Sequence, residues 1–425
     1  MSRPRAIIVQ VCVVLLGMLC LPAAFARADW PFARKDVTGT GFVHRSLPAD
    51  LVELWKYEAG EAIETSPVIG GDLIVLTDVM GSVHALDRKT GKPRWKKDFD
   101  SGFDAAASLQ IENGKLLRIV VADIYGAIHC LRPEDGGVLW ALETDAEISA
   151  AATFVDGRVL VTSQDGKLQS LDLETGKIAW VYQADDQLRC SPTVVDGLTF
   201  VGGCDAKLHR IDLSTGMAVG EAVPIEGPCG STPAYPPPAD TPLADKPTAD
   251  ASQVNPADSK GKPRALIVPS MAGIVFAIQP KTGEVVWRYD SEIRGQEYQT
   301  DAAVNREVAI VTGARKTVDA ISLADGKRLW RYPLRKLADA SPVIAGQDVW
   351  VASTDGRLTR LDIQTGKQEW MYEIRGKFSA PPAIDFGPAA SENGQSTGAS
   401  DPSGRLIVAD DDGVVLCFGG QPTVN

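Results

Sequence analysis

Six of the nine tryptophans of this chain stand at the end of copies of one short motif, and the copies recur at a nearly constant spacing. The motif is a strand, a polar turn, a second strand ending in Asp, then x-x-Thr-Gly-Lys and Trp, and its close copies end at Trp95, Trp180 and Trp370. Weaker copies end at Trp140, Trp287 and Trp330, and a copy at residues 211–216 lacks its Trp. The intervals are 40, 45 and 40 residues from Trp55 to Trp180, then 43 and 40 residues from Trp287 to Trp370. This period is typical of a β-propeller whose blades have four strands.

A short β-branched run accompanies each repeat, and such runs fit strands that are buried on both faces. There are eight: residues 73–75, 119–121, 159–161, 200–201, 266–268, 308–311, 349–351 and 406–408. The sequence therefore predicts an all-β fold, an eight-bladed propeller with four-stranded antiparallel blades.

The two ends of the repeat region complement each other. The last copy stops after its third strand, at residues 414–418, whereas residues 51–55 form an isolated fourth strand. Pairing them completes blade 8 and closes the ring, which removes two exposed sheet edges. Seven blades plus an unrelated N-terminal strand is the alternative, but it leaves one β-rich copy unassigned.

The first 28 residues have the pattern of a secretory signal peptide. Arg3 and Arg5 precede a short apolar stretch, and Ala26-Arg27-Ala28 is a small-x-small cleavage site. The apolar stretch is short for the alternative, a membrane anchor. We therefore expect an exported protein, periplasmic or secreted and soluble after cleavage, with an N-terminal segment at 29–50 and the propeller at 51–425.

Cleavage leaves 40 basic and 55 acidic residues, a net charge of −15. A chain this acidic, with no basic run, is not typical of a nucleic-acid-binding protein. Two stretches interrupt the repeats, at about 235–264 and 387–404, and both lack apolar periodicity. We interpret them as flexible surface insertions between the first and second strands of their blades.

The repeated turn is polar, but its repetition around a ring favours a structural role over a catalytic one. Asp accepts hydrogen bonds from the turn, Gly supplies a positive φ, and Trp packs between blades. The residues of the close copies are Asp87, Thr90, Gly91, Trp95, Asp172, Thr175, Gly176, Trp180, Asp362, Thr365, Gly366 and Trp370.

Residues typical of catalytic or metal sites are sparse. His84, His129 and His209 fall on third strands of three different blades, and no zinc-binding spacing or catalytic motif is present. We therefore predict no catalytic, cofactor-binding or metal residues. The mature chain has five cysteines, an odd number, so at least one is unpaired in an exported protein. Cys204–Cys229 is the disulfide we expect, with buried thiols as the alternative.

The Ala/Ser-Leu-Asp-x-x-Thr-Gly-Lys-x-x-Trp repeats resemble those of the pyrroloquinoline-quinone (PQQ) propeller superfamily over nearly the whole mature chain. Trp30-Pro31, Arg34 and Thr38-Gly39 also resemble the start of many such proteins. One branch of the superfamily contains dehydrogenases that carry PQQ and calcium. Another contains the BamB-like propellers of outer-membrane protein assembly, which carry neither.

The chain lacks the adjacent cysteine pair typical of the dehydrogenases and is short for that branch. The resemblance therefore implies a non-enzymatic, BamB-like scaffold without a cofactor, which binds a protein partner in the cell envelope. A PQQ- and calcium-dependent dehydrogenase and a periplasmic ligand-binding propeller are the alternatives. We expect the partner on the face opposite the Thr-Gly turns, where the connectors between blades vary. The candidate residues are Asp185, Asp186, Arg189, Arg294, Glu297 and Tyr298.

Overall fold

The computed structural model describes residues 29–238, 264–387 and 404–421, and these residues form strands and turns without a helix. The predicted signal peptide lies outside these ranges, as does most of both predicted insertions. The flanking strands place the insertions as expected. Ala234 pairs with Ile267 on one side of the first, and Ala383–Asp385 and Arg405–Ala409 pair across the second.

The strands form eight separate sheets arranged as blades around an axis. Two short elements come first, β1 (Phe42–Val43) and β2 (Val52–Glu58). Blades 1 and 2 contain β3 (Val68–Gly70), β4 (Leu73–Thr77), β5 (Ser82–Asp87), β6 (Pro93–Asp98), β7 (Ser108–Glu112), β8 (Lys115–Ala122), β9 (Ala127–Leu131) and β10 (Val138–Glu143). Blades 3 and 4 contain β11 (Thr153–Val155), β12 (Arg158–Thr162), β13 (Lys167–Asp172), β14 (Ile178–Gln183), β15 (Thr193–Val195), β16 (Leu198–Gly202), β17 (Lys207–Asp212) and β18 (Val223–Pro224).

The second half of the ring repeats this order. Blades 5 and 6 contain β19 (Leu266–Ser270), β20 (Ile274–Ile278), β21 (Val285–Asp290), β22 (Ala303–Val304), β23 (Val308–Gly313), β24 (Thr317–Ser322) and β25 (Arg328–Pro333). Blades 7 and 8 contain β26 (Val343–Ala345), β27 (Asp348–Ala352), β28 (Arg357–Asp362), β29 (Gln368–Glu373), β30 (Ala383–Asp385), β31 (Arg405–Ala409) and β32 (Val414–Gly419). In blade 5 the bridge at Ala234 takes the innermost place.

The ring closes through the strand that the sequence identifies. β2 pairs antiparallel with β32, from Val52 opposite Gly419 to Glu58 opposite Val414, and becomes the outermost strand of blade 8. This confirms the eight-bladed fold, and the seven-bladed alternative is wrong.

Each blade presents its turns on two opposite faces of the disc. The first-to-second turn and the Thr-Gly turn share one face, as the bond from Arg88 N–H to Asp72 O (2.8 Å) shows in blade 1. We call this the Thr-Gly face. The second-to-third turn and the connector to the next blade share the other, where Phe99 N–H donates to Gly81 O at 2.8 Å. We call this the connector face.

The tryptophans dock between neighbouring blades. Asp172 Oδ1 accepts bonds from the N–H (2.9 Å) and hydroxyl (2.6 Å) of Thr175, which fixes the turn around Gly176. Gly176 has φ +69°, and Trp140 of the preceding blade lies against it and donates from Nε1 to Leu173 O at 2.9 Å. Gly91, Gly136, Gly216, Gly326 and Gly366 meet Trp55, Trp95, Trp180, Trp287 and Trp330 in the same way.

Blade 4, which lacks this Trp, uses another side chain. Arg210 on β17 lies against Gly283 of blade 5 and donates to Lys281 O at 3.0 Å. A guanidinium thus fills the gap between these two blades.

Two glycines of blade 3 separate the cost of backbone strain from the cost of displacing a docked Trp. Gly157 and Gly176 have φ values of +72° and +69°, but a Cβ at Gly157 meets nothing within 4 Å, whereas one at Gly176 lies 2.6 Å from Trp140. We expect Gly157→Ala to cost about 1–2 kcal/mol, the strain alone. Gly176→Ala should cost about 1–3 kcal/mol more. Urea unfolding measures both, and equal losses would contradict the docking role.

The N-terminal segment (29–50) makes a circuit of the channel at the Thr-Gly end. Its backbone carbonyls accept bonds from the innermost strands of successive blades, with N–H donors at Ile69, Leu109, Val194, Tyr235, Val304, Ile344 and Gly346. Phe32 contacts Phe154 at blade 3, and Leu47 joins the core of blade 8. The segment therefore meets all eight blades in chain order before β2 closes the ring.

Two buried arginines fix this segment. Arg88 donates to Asp385 from Nε (3.0 Å) and Nη2 (2.6 Å), and from Nη1 to Asp29 (2.8 Å), so it joins blades 1 and 8 to the start of the segment. Arg34, 2% exposed, donates to Ala302 O (3.1 Å) and Pro342 O (2.8 Å) ahead of the innermost strands of blades 6 and 7.

Asp348, on blade 7 beneath the end of the N-terminal segment, makes stability depend on pH. Burial raises its pKa to about 6, although Arg360 acts in the opposite direction. Between about pH 4 and 6 the folded state therefore binds more protons than the unfolded state, and stability falls as the pH rises. We expect Asp348→Asn to remove this loss, with a gain of about 1–3 kcal/mol at pH 8 and little change at pH 4.

Urea titrations at the two pH values test this. Asp87→Asn is the control, because its pKa shift has the opposite sign. Bonds from Thr90 and Arg94 outweigh partial burial and lower the pKa of Asp87 to about 2. Asp87 thus contributes stability above its ordinary pKa that is lost as the pH falls towards 2. A gain for Asp348→Asn that is the same at pH 4 and pH 8 would contradict the assignment.

Candidate partner-binding face

The connector face has the same backbone pattern in all eight blades, so its side chains can be compared position by position. The first residue of each connector donates its N–H to the preceding turn, as Phe99 does to Gly81 O and Thr144 to Gly126 O (2.9 Å). In seven connectors the side chain four residues later is buried: Ile63, Phe103, Ile148, Leu188, Cys229, Ala338 and Phe378. In the longer connector from blade 5 to blade 6, Tyr298 takes this place. The positions on either side of it face solvent or the channel mouth.

The second residue of the connectors is exposed, and its charge changes in sign around the disc. The second connector residue is acidic from blade 1 to blade 5, at Asp100, Asp145, Asp185, Glu226 and Glu292, and basic in blades 6 and 7, at Arg335 and Arg375. We call these the acidic arc and the arginine pair. Asp185 pairs with Lys207 at 2.6 Å, and Glu226 with Arg288 at 2.9 Å. The face therefore has a negative side and a positive side.

The channel mouth on this face is also polarised. Burial, then repulsion by Asp411 and Asp104, raises the pKa of Glu64. Burial, then repulsion by Asp411, raises the pKa of Asp339. Arg189 lies across the mouth in the connector to blade 4, where it donates to Gln164 Oε1 at 2.7 Å.

The structure places five of the six predicted partner-binding residues on the accessible part of this face. Asp185, Asp186 and Arg189 are exposed in the connector from blade 3 to blade 4. Arg294 is exposed and Glu297 half-buried in the connector from blade 5 to blade 6. The two groups lie on non-adjacent connectors, so they are separate parts of one face.

Tyr298, the sixth, was wrongly placed on the surface by the sequence. It is fully buried and donates its hydroxyl to Asp319 Oδ2 at 2.9 Å, as Tyr289 does at 3.1 Å. Arg331 binds the same carboxylate at 2.6 Å. Tyr298 occupies the position that Phe103 and Phe378 fill elsewhere, so packing between blades takes its side chain.

The expected Cys204–Cys229 disulfide is not formed in the structure, where both residues are thiols. Cys229 is buried and contacts Ser231 and the Pro269 carbonyl in blade 5. Cys204 lies in the second-to-third turn of blade 4, where its N–H donates to Gln187 O at 2.9 Å. Burial raises the pKa of Cys229 to about 11.

The channel next to the N-terminal segment bears on the cofactors that the resemblance implies. Within the described ranges, no three His, Cys, Asp or Glu side chains come together as a metal site. The lining of the cavity next to the N-terminal segment includes Arg34, Asp36, Ala151 and Thr232. Asp36 is the one carboxylate in this lining, and its oxygens accept bonds from the hydroxyls of Thr38 (2.7 Å) and Thr40 (2.6 Å). Calcium in proteins binds six to eight oxygen ligands.

A family model described as outer membrane protein assembly factor BamB matches residues 43–123, 115–233 and 271–416. The chain belongs to this family. BamB of Burkholderia pseudomallei is 31% identical over 111 residues, 26% of this chain and 28% of the relative. The quinoprotein ethanol dehydrogenase of Pseudomonas putida is 32% identical over 108 residues, 23% of this chain and 16% of the relative. The chain thus spans less than a third of each relative, and the two have different activities.

Solved structures show the same architecture. BamB of Moraxella catarrhalis superposes with a TM-score of 0.65 at 17% identity, covering 88% of this chain and 99% of that one. The quinohemoprotein alcohol dehydrogenase of Comamonas testosteroni gives 0.70 at 14% identity, covering 94% and 82%. At these identities the likeness establishes the propeller fold alone. No helix in the described residues is long and apolar enough to cross a membrane.

Proposed function

We propose that this BamB-family propeller is an exported, non-enzymatic scaffold that binds a protein partner in the cell envelope through its connector face. The observation that carries the proposal is the charge sorting of that face into an acidic arc and an arginine pair on a rigid ring. The turns and the docked Trp side chains do not require this sorting of charge. On the Thr-Gly face, by contrast, the same Asp and Gly recur from blade to blade. Complementary charge on a partner would set both its orientation and its rate of association.

The family match and the predicted signal peptide support the cellular setting. The relative from Burkholderia pseudomallei is named as an outer membrane protein assembly factor, and an assembly role in the envelope is the form of scaffold function that we favour. Because dehydrogenases are also among the relatives, an enzymatic function with PQQ and calcium as cofactors is the second candidate.

Site-specific photo-crosslinking in the native envelope tests the scaffold function. A photoreactive residue at Asp186 or Arg294 samples the connector face, and one at exposed Lys89 or Lys177 samples the Thr-Gly face. We expect one envelope protein to be captured from the first two positions only. Asp186→Lys combined with Arg294→Glu should weaken that capture without changing the melting temperature. Equal capture from both faces, or none from the connector face, would overturn the proposal.

Reconstitution distinguishes the enzymatic candidate. We expect the mature protein with PQQ and calcium to reduce an electron-accepting dye no faster than a protein-free control, across a panel of alcohols and sugars. The reason is that PQQ dehydrogenases need a divalent cation acting on the quinone carbonyl. Among the described residues, no three His, Cys, Asp or Glu side chains are grouped so that they could hold one. Turnover that a chelator abolishes would establish the dehydrogenase instead.

A further inference from the structure

Two large apolar side chains stand out on the connector face, at the same position of neighbouring turns. Met80 and Tyr125 are 65% and 77% exposed, at the tips of the second-to-third turns of blades 1 and 2. The other six blades place polar or small residues there: Asp165, Asp205, Ala272, Arg315, Asp355 and Asp412. The fold does not require an apolar residue at this position, so packing within the ring does not explain the pair.

Both tips are held rigidly by hydrogen bonds from their own turns. Asp78 Oδ1 accepts the N–H groups of Met80 (3.0 Å) and Ser82 (2.8 Å), and Asp78 Oδ2 lies 2.8 Å from His84 Nε2. In blade 2, Asp123 Oδ1 accepts the N–H groups of Tyr125 and Ala127, each at 2.9 Å. Because these bonds fix the backbone of both turns, only the side chains lose conformational freedom when a partner covers them.

One connector lies between the two tips and joins them into a continuous surface. Phe99 donates its N–H to Gly81 O, and Gly102 O accepts the N–H of Ile124 at 3.1 Å. Phe99 is half-buried, with its ring 4.5 Å from that of His129 and 5.7 Å from that of Phe103. Backbone bonds thus place Phe99 between the turns that carry Met80 and Tyr125, and we call these three side chains the Met80–Tyr125 patch.

Acidic side chains surround this patch. Three connectors with the adjoining ends of β6 and β10, at residues 59–65, 96–105 and 143–150, contain eight acids: Glu61, Glu64, Asp98, Asp100, Asp104, Glu143, Asp145 and Glu147. They contain two bases, of which Lys96 lies 3.6 Å from Asp98 and Lys97 lies 5.4 Å from the centre of the Phe99 ring. An apolar centre with a negative rim complements an apolar side chain with positive neighbours.

We propose that the Met80–Tyr125 patch binds a polypeptide segment of the partner in which an aromatic or large aliphatic side chain is flanked by lysines and arginines. The inference deepens the proposed function and rests on it, because it assigns the partner's chemistry to one sector of the connector face. Covering Met80 and Tyr125 supplies the central apolar contact that interface hot spots share. The acidic rim selects the charge of the segment and repels an anionic lipid surface.

Two labelled peptides test the chemistry by fluorescence anisotropy with the mature protein. One is Lys-Arg-Leu-Trp-Arg-Lys, and the other has each basic residue replaced by an acid. We expect the basic peptide to bind at least 10-fold more tightly, and its binding to weaken several-fold when salt is raised. Similar affinities for the two peptides, or no saturation of the basic peptide by roughly 1 mM protein, would overturn the inference.

Matched variants test the location. Met80→Ser with Tyr125→Ser should weaken binding of the basic peptide at least 10-fold. Met217→Ser, which changes a methionine with 70% exposure on the Thr-Gly face, should leave it unchanged. Both proteins should keep the wild-type melting temperature, because neither side chain is buried. Peptide binding that survives the double substitution, or tighter binding to phosphatidylglycerol vesicles than to the peptide, would contradict the assignment.

Failure of this inference can be distinguished from failure of the proposed function. If crosslinks from Asp186 and Arg294 still capture one envelope protein while the double variant retains peptide binding, the scaffold function stands and the patch assignment falls. If the connector-face crosslinks capture nothing, the scaffold function itself falls.

Discussion

Removal of residues 29–56 should leave a chain that no longer folds to a stable monomer. The deletion takes away the N-terminal segment and most of β2, so β32 gains a free edge on the outside of blade 8. It also removes Trp55, which lies against Gly91 of blade 1. The deletion removes four of the six β2–β32 residue pairs, at about 1 kcal/mol each. Together with the lost Trp contact, this is a large part of the 5–15 kcal/mol that stabilises a typical domain. Size-exclusion chromatography and thermal melting measure the outcome.

A shorter deletion separates the two contributions. Removal of residues 29–47 keeps β2 and ring closure, but the innermost strands of six blades lose carbonyl partners for their N–H groups. Water in the channel can replace part of these bonds. We therefore expect a monomer that unfolds cooperatively at a clearly lower temperature. If the longer deletion melted at the wild-type temperature and stayed monomeric, β2 would not be needed for closure.

Arg88→Met should be the most destabilising single substitution that we predict. Arg88 is 5% exposed, and its loss leaves the carboxylates of Asp29 and Asp385, 8% and 2% exposed, without their shared cation. Breaking a buried ion pair from one side typically costs about 3–5 kcal/mol, because the remaining charge stays buried. Urea unfolding at pH 7 measures the loss.

Two further variants control this result. Arg94→Met removes an arginine whose side chain is 55% exposed and which pairs with Asp87 at 2.5 Å, so its cost should stay below about 1 kcal/mol. Adding Asp29→Asn and Asp385→Asn to Arg88→Met should restore part of the stability. A loss for Arg88→Met no greater than that for Arg94→Met would show that the buried network contributes little.

The architecture could be predicted from the sequence because each blade repeats the same pattern of strands and turns. Asp172, Thr175 and Gly176 fix a turn that any single copy reveals, and the Trp interval gives the blade length directly. The orphan strand at residues 51–55 then determined closure, since an open edge on blade 8 would be unfavourable. Each of these features depends on side chains whose types are visible in the sequence.

The partner-binding face was harder to predict from the sequence, because burial and exposure there depend on the position within a repeat rather than on the residue type. Tyr298 lies in a polar connector, which predicts an exposed side chain, although the corresponding connector position is buried in every blade. The path of the N-terminal segment was hidden for another reason, since it binds the blades through backbone carbonyls. Met80 and Tyr125 were missed as isolated apolar residues. Aligning the second-to-third turns of all blades would have shown them to be exceptional.

The closure by β2 has a consequence for the order in which the molecule can be completed. Val52 is among the first residues of the described chain to be synthesised, and its partner Gly419 is among the last. The N-terminal segment likewise needs the innermost strands of blades 4 to 7, which follow it by more than a hundred residues. The start of the segment can pair with blades 1 and 2 early, but β2 must wait for its partner strand until blade 8 has been synthesised. Ring closure therefore cannot precede the synthesis of blade 8, although the strand that completes it is made before blade 1.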